Sequence, residues 1–158
     1  MILGHYLESI VNFRTMKITN KKAYFNYEIS ETFEAGINLL GSEVKSLRLG
    51  KADLSGSFIK IIGLEAFLVN AKIFPYQNAQ LENYDQNRTR KLLLHKKEIL
   101  ALKSKMDGAN LSLIPVALYL KHGFIKVEVG LGKGKKLFEK RESIKKKDIQ
   151  RDLERELS

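Results

Sequence analysis

The sequence has no cysteine and no tryptophan, and only two prolines and three histidines in 158 residues. Without cysteine there is no disulfide framework, no thiolate nucleophile and no Cys-ligated zinc site. That composition suits a reducing compartment, and a cytoplasmic location is expected. His5, His95 and His122 lie in three separate segments, with no His-Glu-x-x-His pair or similar ligand spacing. No serine sits in a G-x-S-x-G elbow. The chain therefore shows no catalytic constellation, and neither an enzyme activity, a metal nor a cofactor is expected. No apolar run reaches the ~18 residues that read as a bilayer-spanning helix, so no membrane partner is expected.

Positive charge and apolar material are both abundant. Hydrophobic residues make up 44%, enough for a core in a domain of this length. Lys and Arg number 28 against 18 Asp and Glu, a net charge of +10. Its distribution is uneven. Residues 1–84 hold nine cations and eight anions, and residues 85–158 hold nineteen and ten. Charge needed only for solubility can be spread evenly, so the concentration points to a polyanionic partner. The competing reading is a solvated basic surface with a flexible tail.

Periodicity gives a coarse outline. Residues 1–15 are apolar and lack the basic start and small-residue cleavage site of a secretory signal. Met16 opens a polar run resembling a second start, so residues 1–16 read as a non-essential N-terminal extension. From Tyr24 to Leu40, apolar residues on odd positions predict a strand, with Glu31 interrupting the face and Gly36 marking a bulge or bend. Ser42 is the candidate cap of a short helix that Gly50 ends. Strands are predicted over 57–62 and 64–73 about Gly63, and a polar loop over 75–90. A helix is predicted from Lys91 to Gly108, with Leu94, Ile99, Leu102 and Met106 as its stripe. Strands over 110–121 and 124–131 form a hairpin at His122-Gly123, with Pro115 at an edge or bulge. Small antiparallel sheets of this strand number close into barrels. The expected fold is therefore mainly β with helices: a small antiparallel OB-like barrel over 17–134. A basic tail, 135–158, is expected to be disordered until bound.

Two cationic motifs stand out. Arg88, Arg90 and Lys91 close the polar loop, where they would enter a helix N-terminus against its dipole unless a polyanion were bound. Gly130, Gly132 and Gly134 resemble a nucleotide loop but fail both fingerprints. Lys135 stands where a dinucleotide motif needs glycine, and Lys136 where a P-loop needs Ser or Thr. The segment reads as a flexible strand exit whose Lys133, Lys135 and Lys136 meet phosphates. Exposed rings beside cations suit stacking on unpaired bases, but most of the aromatics among Tyr24, Phe25, Tyr27, Tyr119 and Phe124 read as core. Phe138 lies in the tail, where no core awaits it.

The order of five segments resembles the SsrA-binding (SmpB) family: NKKAYFNYEISETFEAG (20–36), GSEVKSLRLGKA (41–52), DQNRTRKLLLH (85–95), the LYLK…KVEVG hairpin (118–130) and GKGKKLFEKRE (132–142). The resemblance implies binding to the tRNA-like domain of transfer-messenger RNA and delivery to stalled ribosomes. It also implies a tail that becomes helical in the decoding centre and mRNA channel, against ribosomal RNA. Elongation factor Tu would accompany the charged RNA. By motif, Glu34, Leu93 and Lys126 match RNA-binding positions. Glu34 can accept from base amino or 2′-hydroxyl groups, or pair with a nearby lysine; Leu93 can face an unstacked base or the core. Gly134, Lys135 and Lys136, then Glu139, Lys140 and Arg141, match tail motifs, and Phe138, Lys145, Lys146 and Lys147 extend the set. Three positions depart from the family pattern. Tyr24 and Phe25 replace a basic residue and a His, and Glu139 replaces an Asp. The rival readings are a generic OB-fold assembly factor preferring ribosomal RNA, an RNA enzyme, and a membrane-surface role that the tail's acidic residues oppose.

Overall fold

The computed structural model describes residues 16–77 and 82–157, so the N-terminal extension inferred for 1–16 lies almost wholly outside the described residues. β1 (Lys17–Thr19) ends at Asn20. The Asn20 backbone N–H donates to Val116 O (2.7 Å) and its side-chain amide to Pro115 O (2.9 Å). That anchorage turns the chain into a short helix, α1 (Lys21–Asn26), which buries Ala23. The strand expected from Tyr24 therefore begins later, as β2 (Tyr27–Ile37).

The odd-numbered parity of β2 holds, and Ala35 and Ile37 are buried. Its bulge falls between Ile29 and Glu31, not at Gly36. Glu31 occupies an inward-parity position but is exposed, and it pairs with Lys105 at 2.7 Å. Next comes α2 (Gly41–Arg48). Its cap is not Ser42, which lies inside the helix. The Glu43 carboxylate reaches back to accept the Leu40 N–H at 2.9 Å. Gly50, at φ +72°, ends the turn as the sequence indicates.

β3 (Ala52–Asp53) pairs with β6 (Lys72–Ile73). β4 (Phe58–Ile62) and β5 (Glu65–Val69) form the hairpin expected about Gly63. The helix expected from Lys91 starts later. Residues Arg90–Leu93 form β7, paired with β5 on one side and β2 on the other, and α3 spans Lys96–Met106. The run Leu92-Leu93-Leu94 fits either period. Burial follows period two, with Arg90 and Leu92 inside and Lys91 and Leu93 outside. Glu98 then caps α3 by accepting the His95 N–H.

β8 (Ser112–Lys121) and β9 (Phe124–Gly134) pair along their length, and the expected bulge lies between Pro115 and Ala117. The sheet order β1-β8-β4-β5-β7-β2-β9 is closed by the β8–β9 pairing, which makes it a barrel, as expected. Leu68, Leu92, Leu118, Val127 and Val129 fill it.

The glycine segment is not a flexible exit. Gly130, Gly132 and Gly134 belong to β9 and pair with β2. A Cβ at Gly132 would stand 2.8 Å from Glu28 O, and one at Gly130 would meet Val116 at 2.9 Å. These two glycines permit close strand packing. The tail forms α4 (Leu137–Leu157), a helix with no buried residue. Its lack of buried residues matches the sparse apolar content of the segment.

Candidate nucleic-acid interface

The cations before β7 divide by burial. Arg90 is fully buried. Its Nε and Nη2 both reach Glu43 Oε2 (2.6 and 2.5 Å), Nη1 donates to Ala71 O (2.8 Å), and Nη2 also donates to Gln86 O (3.1 Å). Tyr84 donates to the same Glu43 oxygen at 3.1 Å. Arg88 takes Glu43 Oε1 at 2.5 Å, with its side chain 36% exposed. Burial pushes the Glu43 pKa up. The Leu40 N–H and the two arginines outweigh it, and the carboxyl ends below its usual range. Burial and the neighbouring carboxylate raise Tyr84. Arg90 therefore holds the 84–90 loop to α2 and does not face RNA, which corrects its assignment from sequence. Arg88 is mostly committed to the same carboxylate. The cationic run enters a strand, and an internal anion balances it. Glu43 was missed because its partners lie 45 and 47 positions away, and no local spacing signals such a pair.

The outer face is different. Strand register places Leu93, Gly36, Lys126 and Tyr119 in one row across β7, β2, β9 and β8. Glu34 stands two residues before Gly36 on the same face. Thus Glu34, Leu93 and Lys126, 92 positions apart at the extremes, are brought together. Leu93 is 57% exposed, which excludes the core reading. Gly36 has no side chain between Leu93 and Lys126, and a Cβ there would stand 3.0 Å from the Leu93 Cβ. Tyr119 donates its hydroxyl to Glu34 Oε2, and Lys121 Nζ lies 3.2 Å from the same oxygen. The Tyr119 hydrogen bond is the main cause holding the Glu34 carboxyl below its usual range; burial opposes it, and Lys121 and Lys126 add to it. Burial and Glu34 push the Tyr119 phenol well up. Glu34 is thus an ionised acceptor with a fixed heading, and its unused lone pairs suit base amino or 2′-hydroxyl donors. Sequence offers Tyr119 only as one of several aromatics that mostly read as core, and gives no sign of Lys121. Only the cross-strand register reveals them.

The remaining cations flank this row. Lys91 is exposed and pairs with Glu65 at 3.0 Å. Lys133 is exposed opposite Glu28, and Gly134 pairs with Tyr27. Lys135 is half-buried: its N–H donates to Asn26 O and its Nζ to Ser143 Oγ, so it braces α4. The Lys136 N–H donates to Glu139 Oε2, which caps α4. Phe138 is 71% exposed. Arg141, Lys145, Lys146 and Lys147 are exposed along α4, and Lys140 is half-exposed. Tyr24 is exposed on α1 and Phe25 half-buried. Among the described residues, no cluster of His, Asp and Glu has metal-ligand form, and no helix is long and apolar enough to cross a membrane.

A closed antiparallel barrel whose outer face carries Lys91, Lys126 and Lys133, with an exposed terminal helix rich in charges of both signs, has the form of a small nucleic-acid-binding protein. The family model described as SmpB protein matches residues 17–158. The chain is 56% identical to an SsrA-binding protein of Geotalea uraniireducens (strain Rf4), covering 85% of this chain and 89% of that one. It is 52% identical to an SsrA-binding protein of Bacillus pumilus (strain SAFR-032), covering 86% and 87%. A solved structure described as "tmRNA-SmpB: a journey to the center of the bacterial ribosome" superposes with a TM-score of 0.65 at 46% identity, covering 77% of this chain and 86% of that one. The chain belongs to the SmpB family of SsrA-binding proteins.

Proposed function

We propose that this chain binds the tRNA-like domain of transfer-messenger RNA and delivers it to stalled ribosomes for trans-translation. The observation that carries this reading is the convergence of Glu34, Leu93 and Lys126 from three strands onto one outer face. Leu93 meets an unstacked base, Lys126 a phosphate, and Glu34 donors on the RNA. Lys91, Lys133 and the exposed part of Arg88 add phosphate contacts at the rim. Residues 17–134 form the RNA-binding unit. Residues 135–158 form the ribosome-directed tail, whose cations from Lys136 to Lys147 meet ribosomal RNA in the decoding centre and mRNA channel. The protein positions an RNA in the cytoplasm and makes or breaks no bond itself.

Membership of the SmpB family and the solved relative described with both transfer-messenger RNA and the ribosome support this reading. Removal of residues 137–158 tests the division of labour. Affinity for transfer-messenger RNA is expected to survive, because α4 buries nothing in the barrel, while tagging on stalled ribosomes is lost. Loss of RNA affinity on truncation contradicts it.

A further inference from the structure

A second row of side chains continues the outer face beyond Leu93. Register aligns Lys60 on β4 with Phe67 on β5 and Lys91 on β7. The inward neighbours Ile59, Ala66, Leu68 and Leu92 are buried, so Lys60, Phe67 and Lys91 point outward. Lys91 and Leu93 are two residues apart on one strand, ~6.6 Å. The two rows thus meet at β7 and form a band that winds around the barrel from β8 to β4.

Around Phe67 lies an open groove of about 330 Å³, lined by Phe58, Lys60, Ile62, Val69 and Thr89. Phe58 is 41% and Ile62 57% exposed, so the groove is an apolar floor open to solvent. Lysines flank its half-buried ring on both sides. The Lys91–Glu65 pair is solvent-exposed and readily exchanged for a phosphate. Aromatic surface flanked by cations is the arrangement that holds unpaired nucleotides, with rings taking bases and ammonium groups taking the backbone. We infer that this groove is a stacking subsite for unpaired RNA, extending the track that begins at Glu34, Leu93 and Lys126. The inference rests on the function proposed above. Charge and continuity with that face select RNA over an apolar protein partner.

The test uses the full chain with intact transfer-messenger RNA. Phe58→Ser combined with Phe67→Leu removes both rings while keeping bulk at the half-buried position. Affinity is expected to fall by about tenfold or more, with the salt slope unchanged. Lys60→Ala is expected to lower the slope of log K against log salt by ~0.7. A photocrosslinking p-benzoylphenylalanine placed at Ile62 is expected to give an RNA adduct, and this readout does not depend on the stability of the ring variants. Wild-type affinity in the ring variants, or no RNA adduct from position 62, overturns the subsite and leaves the Glu34 face standing. If the wild-type chain itself fails to bind transfer-messenger RNA, the proposed function and the subsite fall together.

Discussion

Replacing Glu43 by alanine isolates the claim that Arg90 is internal. The change strands a fully buried guanidinium whose remaining acceptors are Ala71 O, Gln86 O and the Tyr84 hydroxyl. It also removes the acceptor of the Leu40 N–H and the partner of Arg88. Breaking a buried pair from one side costs about 3–5 kcal/mol. Whole domains are stable by only ~5–15 kcal/mol, so this is a large fraction. Urea unfolding followed by circular dichroism is expected to show a midpoint lower by on the order of 2 M. Glu43→Leu with Arg90→Met is expected to recover much of the loss, since volume-matched apolar pairs tolerate the site. The pH dependence has a definite sign. The folded-state pKa of Glu43 lies below its ordinary value. Its contribution is therefore complete above the ordinary carboxyl range and vanishes as pH falls through the depressed value. Wild type is expected to lose more stability in acid than Glu43→Ala does. A midpoint shift under about 0.5 M would refute the buried cluster. Arg90 variants that stay fully stable but lose RNA affinity would restore Arg90 as an RNA contact.

Three further outcomes follow from the geometry. Tyr119→Phe is expected to weaken transfer-messenger RNA binding in the wild-type background but not in Glu34→Gln, because the phenol acts through that carboxylate; equal effects in both backgrounds, measured by fluorescence anisotropy, contradict this. Lys126→Ala is expected to lower affinity and reduce the salt slope by ~0.7–0.9, as loss of one phosphate contact should. Gly132→Ala is expected to cost ~1–3 kcal/mol in urea unfolding, because its Cβ would meet the Glu28 carbonyl at 2.8 Å and backbone must shift.

Most of the fold was legible where local chemistry decides it. His122-Gly123 and Gly63 adopt the positive φ that their turns need, and Pro115 sits at the bulge that its missing N–H calls for. The errors lie where distant contacts decide. Tyr24 looks like the start of a strand, but Asn20 bonding to the β8 bulge winds that stretch into α1. Leu92 and Leu93 fit a helical stripe, yet open edges on β2 and β5 claim them for the sheet. At the site, Glu34, Leu93 and Lys126 were reached through segment resemblance, and the cross-strand register shows that they share one outer face. Arg90 was misread because charge is visible in sequence while burial beside Glu43 is not. Gly130 and Gly132 looked like freedom and proved to be space, since a flexible loop and a tightly packed strand both need residues without side chains.

Capture of cellular RNA on the full-length chain, followed by sequencing, tests the central claim most directly. The account predicts that transfer-messenger RNA dominates the bound pool at moderate salt, and that Glu34→Gln with Lys126→Ala removes it. Ribosomal RNA recovered without transfer-messenger RNA, or a pool unchanged by those substitutions, would contradict it.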